Sequence, residues 1–146
     1  MQIIEESALK NARMLKKMSI EKAAQLLNIS ESKLYMYERE KTKTKDEKLH
    51  LDAMRVYGDI RIGISYLNDD LVFRYLFGNI NLTDELWAAA KFASFDETET
   101  KQQLLSMALD GNTDSLLDTL VRRLKSYMDT AINIYLNLRQ KNGFIH

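Results

Sequence analysis

Few side chains in this sequence are equipped for acid–base or nucleophilic chemistry, and they do not gather. Histidine occurs only at positions 50 and 146, and cysteine does not occur. Thiolate nucleophiles, thiolate metal sites and disulfides are therefore excluded together. No glycine-rich phosphate loop and no HExxH or similar ligand spacing is present. The densest acidic run is Asp96-Glu97-Thr98-Glu99, at the start of a helix-patterned stretch. Carboxylates at that place favour the helix dipole and need no further role. The expectation is a binding protein rather than an enzyme, with no cofactor and no metal.

Composition points to helices. Among 146 residues there is no proline, and the five glycines stand at 58, 63, 78, 111 and 143. A chain rich in Leu, Lys, Glu, Ala and Met with scattered β-branched residues reads as helical throughout. No segment keeps the strict alternation of a half-buried strand, so the expected class is all-α. No apolar run approaches the roughly 18 residues of a membrane span. The first residues, Met1-Gln2-Ile3-Ile4-Glu5-Glu6, lack the basic start and apolar core of a signal peptide. These features lead to an expected cytoplasmic protein with no membrane partner. Formal net charge is zero, but residues 1–67 hold 13 Lys/Arg against 10 Asp/Glu, and residues 68–146 hold 8 against 11. A basic half beside an acidic half is the asymmetry expected when only the first meets phosphate.

The elements follow from periodicity and caps. A first helix from about Ser7 to Lys17 lines up Leu9, Ala12 and Leu15. Ser19 caps a second, Ile20 to Leu27, which buries Ala23, Ala24 and Leu27. Asn28 suits a left-handed stop, Ile29 fills the turn, and Ser30 caps a third helix from Glu31 to about Glu40, with Leu34 and Tyr37 inward. Residues 41–46 form a polar connector. A fourth helix runs from Glu47 to Tyr57, with Leu51 and Met54 inward along with Leu49 or Tyr57. A fifth short helix covers 60–67.

Two short helices joined by a tight turn with an apolar centre make a helix-turn-helix unit. The stretch Leu9-Lys10-Asn11-Ala12-Arg13, then Met18 to Ser30, then Leu34, Tyr37-Glu38-Arg39 and Lys41, resembles the Cro/C1 (Xre-type) repressor family over roughly Leu9 to Leu67. The resemblance implies a five-helix, lambda-repressor-like DNA-binding domain at 1–67. It pairs a basic residue of the first helix, Arg13, with a glutamate of the recognition helix, Glu38. It also implies a double-stranded DNA partner, with the third helix entering the major groove behind its cap Ser30. Glu31, Ser32 and Met36 then stand where base edges are read, Lys33 beside the backbone, and Lys41, Lys43 and Lys45 where phosphate is met. Three positions depart from the family: Ile20 stands where Gln commonly contacts phosphate, and Glu31 and Met36 replace the usual polar or basic readers.

Beyond Leu67 the resemblance stops, and residues 68–146 are expected to form a helical dimerisation or effector domain. A helix carrying Leu71, Val72, Tyr75 and Leu76 closes at Gly78. Thr83 is the expected cap of a helix from Asp84 to Ser94, and another runs from Glu97 to Leu109. Asn112 or Thr113 caps the longest, which reaches Lys141. In it Leu117, Val121, Leu124, Met128, Ala131, Tyr135 and Leu138 follow 4-3-4-3-4-3 spacing, the seam of a coiled coil. A homodimer through this seam fits a regulator that reads two half-sites, although a helix buried within its own chain gives the same pattern. Seven aromatics between Tyr66 and Phe95 form either core or a pocket for a peptide, protein or small effector. The leading expectation is a DNA-binding transcriptional regulator, a repressor of phage or mobile-element type. The alternative is a protein-binding module, or phage-type inhibitor, that keeps the first half as scaffold or autoregulator and captures a protein with its C-terminal helices.

Overall fold

A computed structural model describes residues 7–39, 46–110 and 114–142. All the regular structure among them is α-helical: α1 (Ala8–Leu15), α2 (Ile20–Leu27), α3 (Glu31–Arg39), α4 (Glu47–Tyr57), α5 (Arg61–Asp69), α6 (Leu71–Phe77), α7 (Glu85–Ala93), α8 (Glu97–Asp110) and α9 (Asp114–Lys141). The chain gathers into two compact units, Met1–Asn81 with Arg139–His146, and Leu82–Leu138. Among the described residues no helix is long and apolar enough to cross a membrane.

The first unit opens with one turn-building device used twice. The hydroxyl of Ser7 accepts from the Lys10 N–H at 3.2 Å and starts α1. That helix ends at Lys17, left-handed at φ 51°. The Lys17 N–H reaches the Met14 carbonyl at 2.9 Å and the Met18 N–H reaches Arg13 at 3.2 Å. Ser19 then accepts from the Lys22 N–H at 3.1 Å to start α2. At its end Asn28 is left-handed at φ 54°. Its N–H bonds to Gln25 at 3.2 Å, and the Ile29 N–H to Ala24 at 3.0 Å. Ser30 accepts from the Lys33 N–H at 3.1 Å and starts α3. Left-handed residue, apolar residue, serine cap: each step satisfies backbone groups that a helix end leaves unpaired. Met18 and Ile29, the middle members, pack onto the core.

That core joins Leu9 and Ala12 of α1, Ala23, Ala24 and Leu27 of α2, Leu34 and Tyr37 of α3, Leu49, Ala53 and Tyr57 of α4, and Ile62 of α5. Two expected members are outside it. Leu15 is 66% exposed, because α1 ends there and the left-handed turn carries the chain away. Leu51 is 43% exposed, because α4 buries the i, i+4 line Leu49, Ala53, Tyr57, and a residue two positions from Leu49 points the other way. Gly63 allows α5 to lie close on α4, since a Cβ there would stand 2.5 Å from the Met54 sulfur.

Side-chain amides hold the irregular segments. Asn68 pairs with both backbone groups of Ile80, donating to its carbonyl at 2.8 Å and accepting from its N–H at 2.7 Å. Gln140 donates to the Gly58 carbonyl at 2.7 Å and accepts from the Ile60 N–H at 2.7 Å. The turn between α4 and α5 is thereby tied to the last turn of α9. Each amide replaces the bonds a neighbouring strand would supply.

In the second unit Asp84, not Thr83, caps α7, accepting from the Trp87 N–H at 3.1 Å. Thr83 turns instead to α9: its N–H and hydroxyl donate to Asn133 Oδ1 at 2.7 and 3.1 Å. Its carbonyl accepts from Asn137 at 3.0 Å. Asp96 caps α8 through the Glu99 N–H at 3.1 Å. The 28-residue α9 is the spine of this unit, and Tyr127 on it meets Phe92 at 4.7 Å and Phe95 at 5.3 Å between ring centroids. The expected α9 caps Asn112 and Thr113 lie outside the described residues. Among the described residues of 82–138, Ala88 and Leu120 are the buried hydrophobics.

Candidate nucleic-acid interface and association surface

Arg13 fixes the placement of α3. Its Nε donates to Glu38 Oε1 at 2.7 Å, Nη2 to Oε2 at 3.0 Å, and Nη1 to the Met18 carbonyl at 2.8 Å. Both partners are buried. The bidentate bond to Glu38 raises the Arg13 pKa, against the opposing effect of burial. One side chain thus binds α1, the α1–α2 turn and α3 together. Beside the pair lies the fully buried Tyr57, whose hydroxyl has no hydrogen-bond partner. Burial, and then the negative charge of Glu38, push its pKa up to about 12.

With Leu34, Tyr37 and Glu38 turned inward, about 100° per residue sets Ser32, Met36 and Arg39 on the opposite side of α3. Ser30, Glu31, Ser32, Lys33 and Met36 are all exposed, Glu31 toward a flank. Lys33 extends over the Tyr37 ring at 5.7 Å, and Arg39 over the exposed Tyr35 ring at 5.4 Å. Lys41, Lys43 and Lys45 lie outside the described residues. Ile20 is half-buried and packs on the core, so its first duty is apolar. Arg39 and Tyr35 join Ser32 and Met36 on this face, where the sequence alone leaves Arg39 open between a contact and an ordinary surface residue. Their i, i+4 spacing was the available signal.

At the start of α5, Asp59 bonds Arg61 through the side chain at 2.9 and 2.6 Å and through the backbone N–H at 3.0 Å. Burial alone would raise the Asp59 pKa, but the bonds from Arg61 and its charge outweigh that, and the net shift is downward.

The seam of α9 is open. Leu117, Val121, Leu124, Tyr135 and Leu138 are exposed, and Met128 and Ala131 are half-buried. The face that α9 turns to its own chain is a different one, marked by Leu120, Thr130 and Asn133. The seven aromatics between 66 and 95 divide between the two units, Tyr66, Phe73, Tyr75 and Phe77 in the first and Trp87, Phe92 and Phe95 in the second. Tyr75 is 89% exposed, Phe73 and Phe77 pair at 5.1 Å, and Phe95 borders a cavity of about 220 Å³ with Leu124 and Tyr127. Compared with protein-family models, curated proteins and solved structures, this chain finds no match in any of the three.

Proposed function

We propose that this protein is a DNA-binding transcriptional regulator of the Cro/C1 helix-turn-helix kind, reading DNA through α3 as a homodimer joined at the α9 seam. The observation that carries the reading is the outward face of α3. Behind it, the Arg13–Glu38 pair and the Asn28-Ile29-Ser30 corner hold the helix by both ends. In front, Ser32, Met36 and Arg39 are exposed, flanked by Lys33. A rigidly supported helix with a polar and basic free face is what major-groove readout requires. Lys41, Lys43 and Lys45 complete the reading as phosphate contacts, and the seam supplies the two-fold symmetry that paired half-sites need.

The test is an electrophoretic shift on the DNA upstream of its own coding sequence, at low and moderate salt. A regulator gives a shift at a short inverted repeat that resists competitor DNA and weakens steeply with salt. Binding no better than competitor ends this reading.

A second reading, capture of a protein partner, draws on α6. Leu71, Val72, Tyr75, Leu76 and Phe77 are all exposed, and none of the residues of α6 is buried. An apolar interface there would persist at salt concentrations that abolish DNA binding.

A further inference from the structure

The cavity beside Leu124 opens between α8 and α9, walled by Phe95, Thr100, Lys101, Arg123 and Tyr127. Its polar neighbours are already matched. Arg123 donates to Gln103 at 3.0 Å and Glu99 at 2.8 Å. The Tyr127 hydroxyl donates to Glu97 at 3.1 Å, and Lys101 lies 3.8 Å from Glu97. With those charges paired, the opening suits an apolar body rather than an ion. A void of about 150 Å³ already admits a benzene ring, so 220 Å³ accommodates a phenol.

Leu124 belongs both to the cavity wall and to the seam. Tyr135, on the same seam, projects 60% exposed. We propose that a second copy of this chain lays its α9 antiparallel along the seam and inserts its Tyr135 into this cavity, each copy filling the other's. The proposal rests on reading the seam as a self-association surface. Reversing a 4-3-4-3 spacing against itself allows a register that sets Leu124 opposite Tyr135, Val121 opposite Leu138, and Met128 opposite Ala131, a large residue against a small one, and this is the register that brings Tyr135 to the cavity. A parallel pair would set Tyr135 against Tyr135 and leave both cavities vacant. The opposed macrodipoles also favour the antiparallel arrangement. The five exposed seam side chains leave on the order of 500 Å² in water, so two copies bury about 1,000 Å², where specific interfaces begin. Among the described residues of the second unit the buried hydrophobics are Ala88 and Leu120, and neither belongs to this seam.

The chain has no cysteine, which makes a disulfide test clean. Val121→Cys and Leu138→Cys chains are prepared separately and mixed under mild oxidation, with sedimentation equilibrium on the unmodified chain. The expected result is a dimer in which the mixture cross-links and neither variant cross-links alone. Tyr135→Ala should weaken the dimer by about tenfold to a hundredfold with helicity by circular dichroism unchanged. Thr100→Trp, filling the cavity from within, should do the same. A dimer in which Val121→Cys cross-links to itself overturns the antiparallel arrangement, and so does a Tyr135→Ala dimer of full affinity. A monomer overturns the seam reading along with it. The DNA shift is scored separately, so failure of one proposal is not failure of the other.

Discussion

The guanidinium of Arg13 grips both carboxylate oxygens of Glu38, 25 residues further along, and with its remaining nitrogen holds the Met18 carbonyl. A buried pair of this kind adds little net stability, because desolvation opposes the attraction, but breaking one half leaves a stranded charge. Glu38→Gln or Arg13→Met alone should therefore destabilise the fold by about 3–5 kcal/mol. The double variant Arg13→Met/Glu38→Leu should recover most of that loss. Urea unfolding of the four proteins closes the cycle, and a double variant no better than the singles would refute this account.

Tyr57 gives the structure an alkaline limit. Its folded-state pKa of about 12 lies above the ordinary value of about 10. The unfolded chain therefore ionises first. The stability this tyrosine contributes is complete below pH 10 and declines as pH rises toward 12, by on the order of 2–3 kcal/mol across the window. Tyr57→Phe also removes an unpartnered hydroxyl and should keep wild-type stability at pH 7. Denaturant midpoints from pH 9 to 11.5 should show a shallower decline for the variant, and parallel declines would count against the assignment.

Asp59 works in the opposite sense. Its pKa is lowered, so its contribution is present above the ordinary carboxylate pKa and is lost as pH falls through the lower folded value. Asp59→Asn should flatten the acid side of the stability profile below pH 4 and leave the alkaline side unchanged. Thermal melts from pH 2 to 7 read this directly.

Lys17 holds a left-handed conformation that costs a residue with a Cβ about 1–2 kcal/mol. Glycine escapes that cost but loses more freedom on folding. Lys17→Gly should stabilise the first unit by about 0.5–1 kcal/mol, whereas Asn28→Gly should gain less, because asparagine tolerates this region. Differential scanning calorimetry would rank them, and a destabilised Lys17→Gly would contradict the geometry.

On the proposed DNA-binding reading, Arg39 is a contact residue held ready by Tyr35, with its guanidinium 5.4 Å from the ring centroid. Arg39→Ala should weaken specific binding by about tenfold to a hundredfold. Tyr35→Phe should bind as the wild type and Tyr35→Ala should not. Fluorescence anisotropy on the selected site distinguishes these, and equal affinity for all three variants would remove the pair from the interface.

Much of the local structure was legible because its causes are local. Ser19, Asn28 and Ser30 act on backbone groups within five residues, and the bounds of α2 and α4 follow from such rules. Leu15 and Leu51 were misplaced because a helical period leaves the phase of the buried stripe open when apolar residues exceed the space available. Thr83 was read as a cap because Thr and Asp are adjacent candidates, and α9 decides by occupying the threonine with Asn133. The paired amides of Asn68, Asn133, Asn137 and Gln140 left no trace in the sequence. Each meets backbone that any residue could supply, at separations from 12 to 82 residues. On the candidate interface, Ser32, Lys33 and Met36 were named from the family resemblance, while the place of Arg39 and Tyr35 is decided only when the buried side of α3 is known.

The Gln140 clamp bears on how the protein is made. A ribosome delivers the N-terminus first, and early segments generally fold while later ones are still being synthesised. Here the turn at Gly58–Ile60 waits for an amide 80 residues downstream of Ile60. Through synthesis of α7, α8 and most of α9, the Ile60 N–H and Gly58 carbonyl have water where the finished protein has Gln140. The first unit is thus completed only once the last turn of α9 has been made, and a chain stalled or truncated before residue 140 carries a turn without its fastening.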